Sequence, residues 1–115
     1  MFAGKEVRIL LKGQARESFI ALKQRTDKEA QTLLNSINQK IELLKANPQY
    51  GDALKKNLIP KELEREGIKN LYRVELSNFW RMLYTIEGNK VEIFLFILTI
   101  TDHPTYDKIL GYKKK

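Results

Sequence analysis

Cysteine is absent from this 115-residue chain, which excludes disulfides and thiolate metal sites and suits a reducing compartment. Histidine occurs once. With no tight carboxylate cluster in the sequence, no credible metal site remains and no cofactor is expected. The longest apolar run, residues 93–98, is far short of the roughly 20 residues that span a bilayer. No N-terminal apolar h-region follows the first basic residues, which reads against a signal peptide. The sequence also has no glycine-rich phosphate loop, no Ser-His-Asp arrangement, no internal repeat and no interdomain linker. What remains is a cytoplasmic, non-membrane protein of one domain, residues 1–115, large enough for a single core.

Acidic residues are outnumbered. The chain has 21 Lys and Arg against 14 Asp and Glu, a formal charge of +7. Such a balance favours a polyanionic partner, because neutralised phosphates release counterions; the plain alternative is solubility alone. A hydrophobic fraction of 43% places the chain among globular proteins and not disordered ones.

Val7, Ile9 and Leu11 alternate with Arg8, Leu10 and Lys12, the period of a strand. Past Gly13, Ala15, Phe19 and Leu22 recur at helical spacing to about Arg25. Thr26 and Glu29 form a capping-box pattern. Behind it Ala30, Leu33, Leu34, Ile37, Ile41 and Leu44 mark the clearest amphipathic helix of the chain, and Asn47-Pro48 stops it. A turn at Tyr50-Gly51-Asp52 and a helical turn over residues 61–65 lead to three strand-like segments. The expected class is α+β, ordered β-α-α-β-β-β, with a helical hairpin on one face of a mainly antiparallel sheet. Residues 91–100 are apolar at nearly every position and read as its central strand.

Two arginines lie inside the first two hairpin strands, where a charge needs a reason. If Ser77-Asn78 alone formed the turn, Val74 would oppose Arg81 and drive that arginine into the apolar face. If Phe79 joins the loop, Leu76 opposes Trp80 and Glu75 opposes Arg81. Tyr72, Val74, Leu76, Trp80, Met82, Tyr84 and Ile86 then share one face, and Arg73, Glu75, Arg81 and Leu83 the other. A one-residue slip exchanges the faces, and an unpaired buried arginine costs several kcal/mol. The second register is therefore expected.

Leu-Tyr-Arg-Val-Glu-Leu, then Trp-Arg-Met-Leu-Tyr-Thr-Ile, then Asp-His-Pro-Thr-Tyr-Asp after the last strand, together with the element order, resemble the RelE/ParE superfamily of toxins from toxin-antitoxin modules. A RelE-like subset with Ile-Pro-Lys-Glu before the hairpin (residues 59–62) and an Asp-His-x-x-Tyr ending is nearer still. The resemblance covers nearly the whole chain. It implies a RelE-like toxin that cleaves mRNA on the ribosome without a metal: a 2′-hydroxyl attacks the adjacent phosphate, leaving a cyclic phosphate and a free 5′-hydroxyl. It further implies a cognate antitoxin, laid as an amphipathic segment over the sheet or the helical hairpin. Two other readings stay open: a noncatalytic RelE-fold module that binds RNA, ribosome or protein, and a ParE-like topoisomerase inhibitor.

By the same resemblance Arg81 and Arg73 match the family's cationic positions, His103 its C-terminal histidine and Tyr106 its base-stacking tyrosine. The chain departs from the pattern at Glu75, where some members have lysine, and at Thr101-Asp102-His103-Pro104, which replaces a Gly-x-Arg-type ending. Each residue also has an ordinary reading. Arg81 suits a phosphate oxygen or a cross-strand pair with Glu75. Arg73 suits a solvated strand face. His103 serves as acid or base, or bonds Asp102 before a Pro104 turn. Tyr106 stacks on a base or closes the core, and Glu75 is a base beside His103. Lys55, Lys56 and Lys61 track a phosphate backbone or decorate a loop.

Overall fold

A computed structural model describes residues 2–111. The opening alternation gives strand β1, Glu6–Leu11. Helix α1, Gly13–Gln24, buries Ala15 and Leu22. Helix α2, Lys28–Ala46, buries Ala30, Leu33, Ile37 and Leu44 along one stripe. Its cap differs from the expected one. Asp27, not Thr26, is the N-cap and accepts from the Ala30 N–H at 3.2 Å. A carboxylate succeeds there because it serves the exposed donor, complements the helix dipole and takes Arg25 at 2.7 and 2.8 Å together. Those bonds, Arg25 first, hold the Asp27 carboxyl at about 2.

The remaining elements are β2 (Asp52–Ala53), α3 (Lys61–Arg65), β3 (Tyr72–Glu75), β4 (Arg81–Gly88), β5 (Glu92–Thr101) and α4 (His103–Leu110). They build a five-stranded sheet of order β1-β5-β4-β3-β2, with β1 parallel to β5 and the other pairs antiparallel. The α+β class stands, with three departures from expectation. β5 is interior but not central, because the two-residue β2 extends the far edge and leaves β4 in the middle. Residues 103–110 form a helix where a turn at Pro104 was expected: Pro104 lies in the first turn, which needs no N–H from it. Helices also cover both faces.

One face carries the larger core, in which Val74, Leu76, Met82, Tyr84, Leu95 and Ile97 meet the buried stripes of α1 and α2. On the other, Ile59, Leu71, Leu83, Tyr106 and Leu110 form a second core beneath α3 and α4. A register shift between Leu83 and Tyr84 inserts an extra residue in β5, so Ile97 and Ile100, three apart, both reach the first core. Past the end of β1 the Gln14 amide takes over as a strand edge, donating to Ile100 O at 3.0 Å and accepting from Ile100 N at 2.9 Å. Among the described residues no helix is long and apolar enough to cross a membrane.

Tyr84 ties the loop after α2 to the sheet. Its buried hydroxyl donates to Pro48 O at 2.7 Å and accepts from the Gly51 N–H at 2.9 Å. Burial pushes this phenol up to about 12. The approach needs glycine, since a Cβ on Gly51 would lie 2.7 Å from Arg73 O and 2.9 Å from the Tyr84 hydroxyl. The loop is thereby drawn in until Asp52 pairs with Arg73.

Candidate functional site

The hairpin adopts the register that keeps charge out of the apolar face. Tyr72 opposes Tyr84, Arg73 opposes Leu83, Val74 opposes Met82 and Glu75 opposes Arg81. Leu76 donates its N–H to Trp80 O at 2.8 Å, so Ser77, Asn78 and Phe79 all lie in the connection. Side chains alternate, and the second face consequently carries two parallel rows. One runs Asp52, Arg73, Leu83 and Thr99 across four strands; the other runs Glu75, Arg81 and Thr101 across three.

Tyr106 joins the rows from above. Its side chain is 1% exposed, and the Arg81 guanidinium carbon lies 5.5 Å from the ring centroid, a cation–π contact. Its buried hydroxyl lies among the groups that bear on the Arg73 guanidinium. Asp52 first and Tyr106 second raise Arg73 above the ordinary arginine range. Asp52 receives the Arg73 Nη2 at 3.1 Å. Burial changes the part expected of Tyr106: with its ring enclosed against Arg81, it presents no face to a base and instead positions both arginines.

Arg81 is held more loosely than its burial would lead one to expect. The side chain is 14% exposed, yet its nearest carboxylate oxygen, on Glu75, is 3.7 Å away. Its other contact is Nη1 to Phe79 O at 3.5 Å, at the limit of a hydrogen bond. Among the described residues the buried Nε atoms of Arg73 and Arg81 have no hydrogen-bond partner. Buried donors are rarely left so. A guanidinium desolvated by its surroundings and not closely engaged by them retains much of its attraction for an incoming anion.

His103 opens α4 directly after the strand end that pairs with Arg81. Asp102, expected as its partner, instead caps the helix by accepting from the Thr105 N–H at 3.0 Å. The bonds from Thr105 lower the Asp102 carboxyl below its usual range. The imidazole Nε2 faces Asp107 at 3.5 Å, one turn on. Glu75 and the His103 imidazole are roughly half or more exposed. Glu75 lies opposite Arg81 on β3, and His103 follows two residues after Thr101, which lies opposite Arg81 on β5.

Of the three lysines, the structure brings only Lys61 toward α4. It lines a cleft of about 650 Å³ with Arg65, Thr105 and Lys108. Lys56 borders a separate cleft with Lys69, and Lys55 is exposed ahead of it. Among the described residues no group of His, Cys, Asp or Glu is placed to hold a metal. Sequence reasoning missed Asp52, Asp107 and the Arg65–Lys108 pair, since carboxylates and cations in short polar segments carry no periodic signal. No protein-family model, curated protein or solved structure matches this chain.

Proposed function

We propose that the chain is a RelE-like, metal-independent endoribonuclease acting on mRNA at the ribosome, with the second face of the sheet as its site. The observation that carries this reading is Arg81: desolvated on Tyr106, loosely engaged by protein groups, with Glu75 opposite it on β3 and His103 two residues beyond the β5 position that pairs with it. In-line transfer needs that order. Glu75 takes the proton of the 2′-hydroxyl as the oxygen attacks phosphorus. Arg81, helped by Arg73, neutralises the charge that grows on the nonbridging oxygens. His103 protonates the departing 5′-oxygen. The products are a 2′,3′-cyclic phosphate and a 5′-hydroxyl. A cognate antitoxin partner belongs to the same proposal.

The test is purified protein added to ribosomes carrying a defined message. Wild type is expected to cut, leaving a cyclic phosphate, and Arg81→Ala to reduce the single-turnover rate about 10²- to 10³-fold, the usual cost of one charge-stabilising donor. His103→Ala is expected to flatten the pH–rate profile. Intact message with wild type would refute the reading. A second reading, a noncatalytic RNA- or ribosome-binding module, is favoured by the Arg73–Asp52 pair and by Glu75 facing Arg81, which lower the net charge of the site. It predicts binding that weakens steeply with salt and no cyclic product.

A further inference from the structure

The β3–β4 connection is built at a backbone cost. Asn78 has φ 55° and Phe79 φ 61°, so two successive non-glycine residues sit in the left-handed region. Asparagine tolerates that conformation; a phenylalanine there is a genuine outlier. The ring gains nothing by folding either. At 76% exposed, Phe79 is the most exposed large hydrophobic side chain among the described residues. A strained backbone that holds an apolar ring in water points to a use outside the fold.

Its place narrows that use. The carbonyl of Phe79 is the atom that Arg81 Nη1 approaches at 3.5 Å, so the backbone of Phe79 lies at the rim of the arginine face. Ser77 and Asn78 beside it are polar. Of the other exposed apolar residues, Leu10 lies on the opposite edge strand, Val91 at the far end of the β4–β5 hairpin, Ile20 and Leu43 on α1 and α2, and Tyr50 in the loop before β2, in a cleft with Arg73 and Glu75. The tip itself therefore offers one strongly exposed ring whose backbone adjoins Arg81. Single aromatic rings beside cations are how proteins hold unpaired bases.

We infer that Phe79 is a stacking platform for an unpaired nucleobase of single-stranded RNA, seating the base next to the phosphate at Arg81. This rests on the reading of the arginine face as an RNA site and names how that site grips its substrate.

The experiment measures affinity at low salt for a short single-stranded RNA, 2′-O-methylated throughout so that it cannot be cut, and for a set in which each position in turn lacks its base. Phe79→Ala is expected to bind the intact oligonucleotide about tenfold or more weakly, and Phe79→Trp within about threefold of wild type. The slope of log affinity against log salt is unchanged by Phe79→Ala, because the ring carries no charge. One abasic oligonucleotide weakens wild type by the same factor, and Phe79→Ala adds nothing on it. Phe79→Gly is expected to lose binding as alanine does while melting no lower than wild type, since glycine adopts φ 61° freely.

Wild-type affinity in Phe79→Ala, an equal alanine loss on every abasic oligonucleotide, or no wild-type binding at all would overturn the inference. Failure of the nuclease reading is separable. Message cut on ribosomes at the wild-type rate by Phe79→Ala, with unchanged RNA affinity, removes the stacking role alone. Phe79-dependent binding without cleavage by wild type removes the nuclease alone.

Discussion

Tyr106 and Arg81 show how one buried ring sets the properties of a charge. The cation lies over the ring, 5.5 Å from its centroid, and the hydroxyl of the same ring is among the groups that raise Arg73. Tyr106→Phe keeps the first contact and removes the second. Its expected stability loss is at most about 1 kcal/mol, the net worth of one hydrogen bond, read from urea midpoints at constant slope. Its cleavage rate should fall by less than that of Arg81→Ala, because Arg73 keeps Asp52. A rate equal to that of Arg81→Ala would mean that the hydroxyl itself meets the substrate. The faces of Arg73 and Arg81 were legible in the sequence because register has period two, and burying arginine costs more than any turn preference returns. The burial of Tyr106 was not, since an aromatic after a His-Pro step is compatible with a core or a rim until the following segment is known to be helical.

At the level of elements, the edge of the sheet next to the site depends on Tyr84 and Gly51. Tyr84→Phe leaves Pro48 O and the Gly51 N–H without their partner, a cost of about 1–3 kcal/mol for groups left unsatisfied. The pH dependence follows from the raised phenol, pushed up to about 12. Its contribution to stability is complete below the free-phenol value near 10 and is lost as pH rises through the folded value. Wild type should therefore lose stability between about pH 10 and 12 more steeply than Tyr84→Phe, a difference that denaturation at fixed alkaline pH would reveal; parallel curves would refute it. Gly51→Ala meets backbone at 2.7 Å and is expected to open the β2 edge, releasing Asp52 from Arg73 and lowering the melting temperature. The long helix α2 was legible from its apolar stripe, and β1 from its alternation. β2 and α4 were not. Two residues are too few for a pattern, and α4 is eight residues with a proline in its first turn, where tertiary contact through Tyr106 and Leu110 supplies what local propensity lacks. Gln14 completes β5 with a side-chain amide, and a polar residue in a helix reads as solvated until the neighbouring strand is in place.

For the whole molecule, the charge of +7 says that polyanions are attracted but not where they bind, and the two-faced sheet turns that into a question with an answer. Lys61, Arg65 and Lys108 converge around the cleft beside α4, with Glu62 among them, on the face that carries Arg73 and Arg81. Lys23 belongs to α1 on the other face, its ammonium 5.4 Å from the Phe19 ring centroid. If net charge alone drove association, removing either cation would weaken RNA binding alike. If the strand lies along the second face, each cation that touches a phosphate carries its own share of the salt dependence, about 0.7 in the slope of log affinity against log salt for single strands. Lys61→Ala and Arg65→Ala should each flatten that slope by about this amount, while Lys23→Ala leaves it unchanged. All three remove one positive charge from exposed positions, so the comparison holds net charge constant and isolates place. Equal slopes in the three variants would show that the charge acts as a diffuse field and that the cleft is not part of the path of the strand.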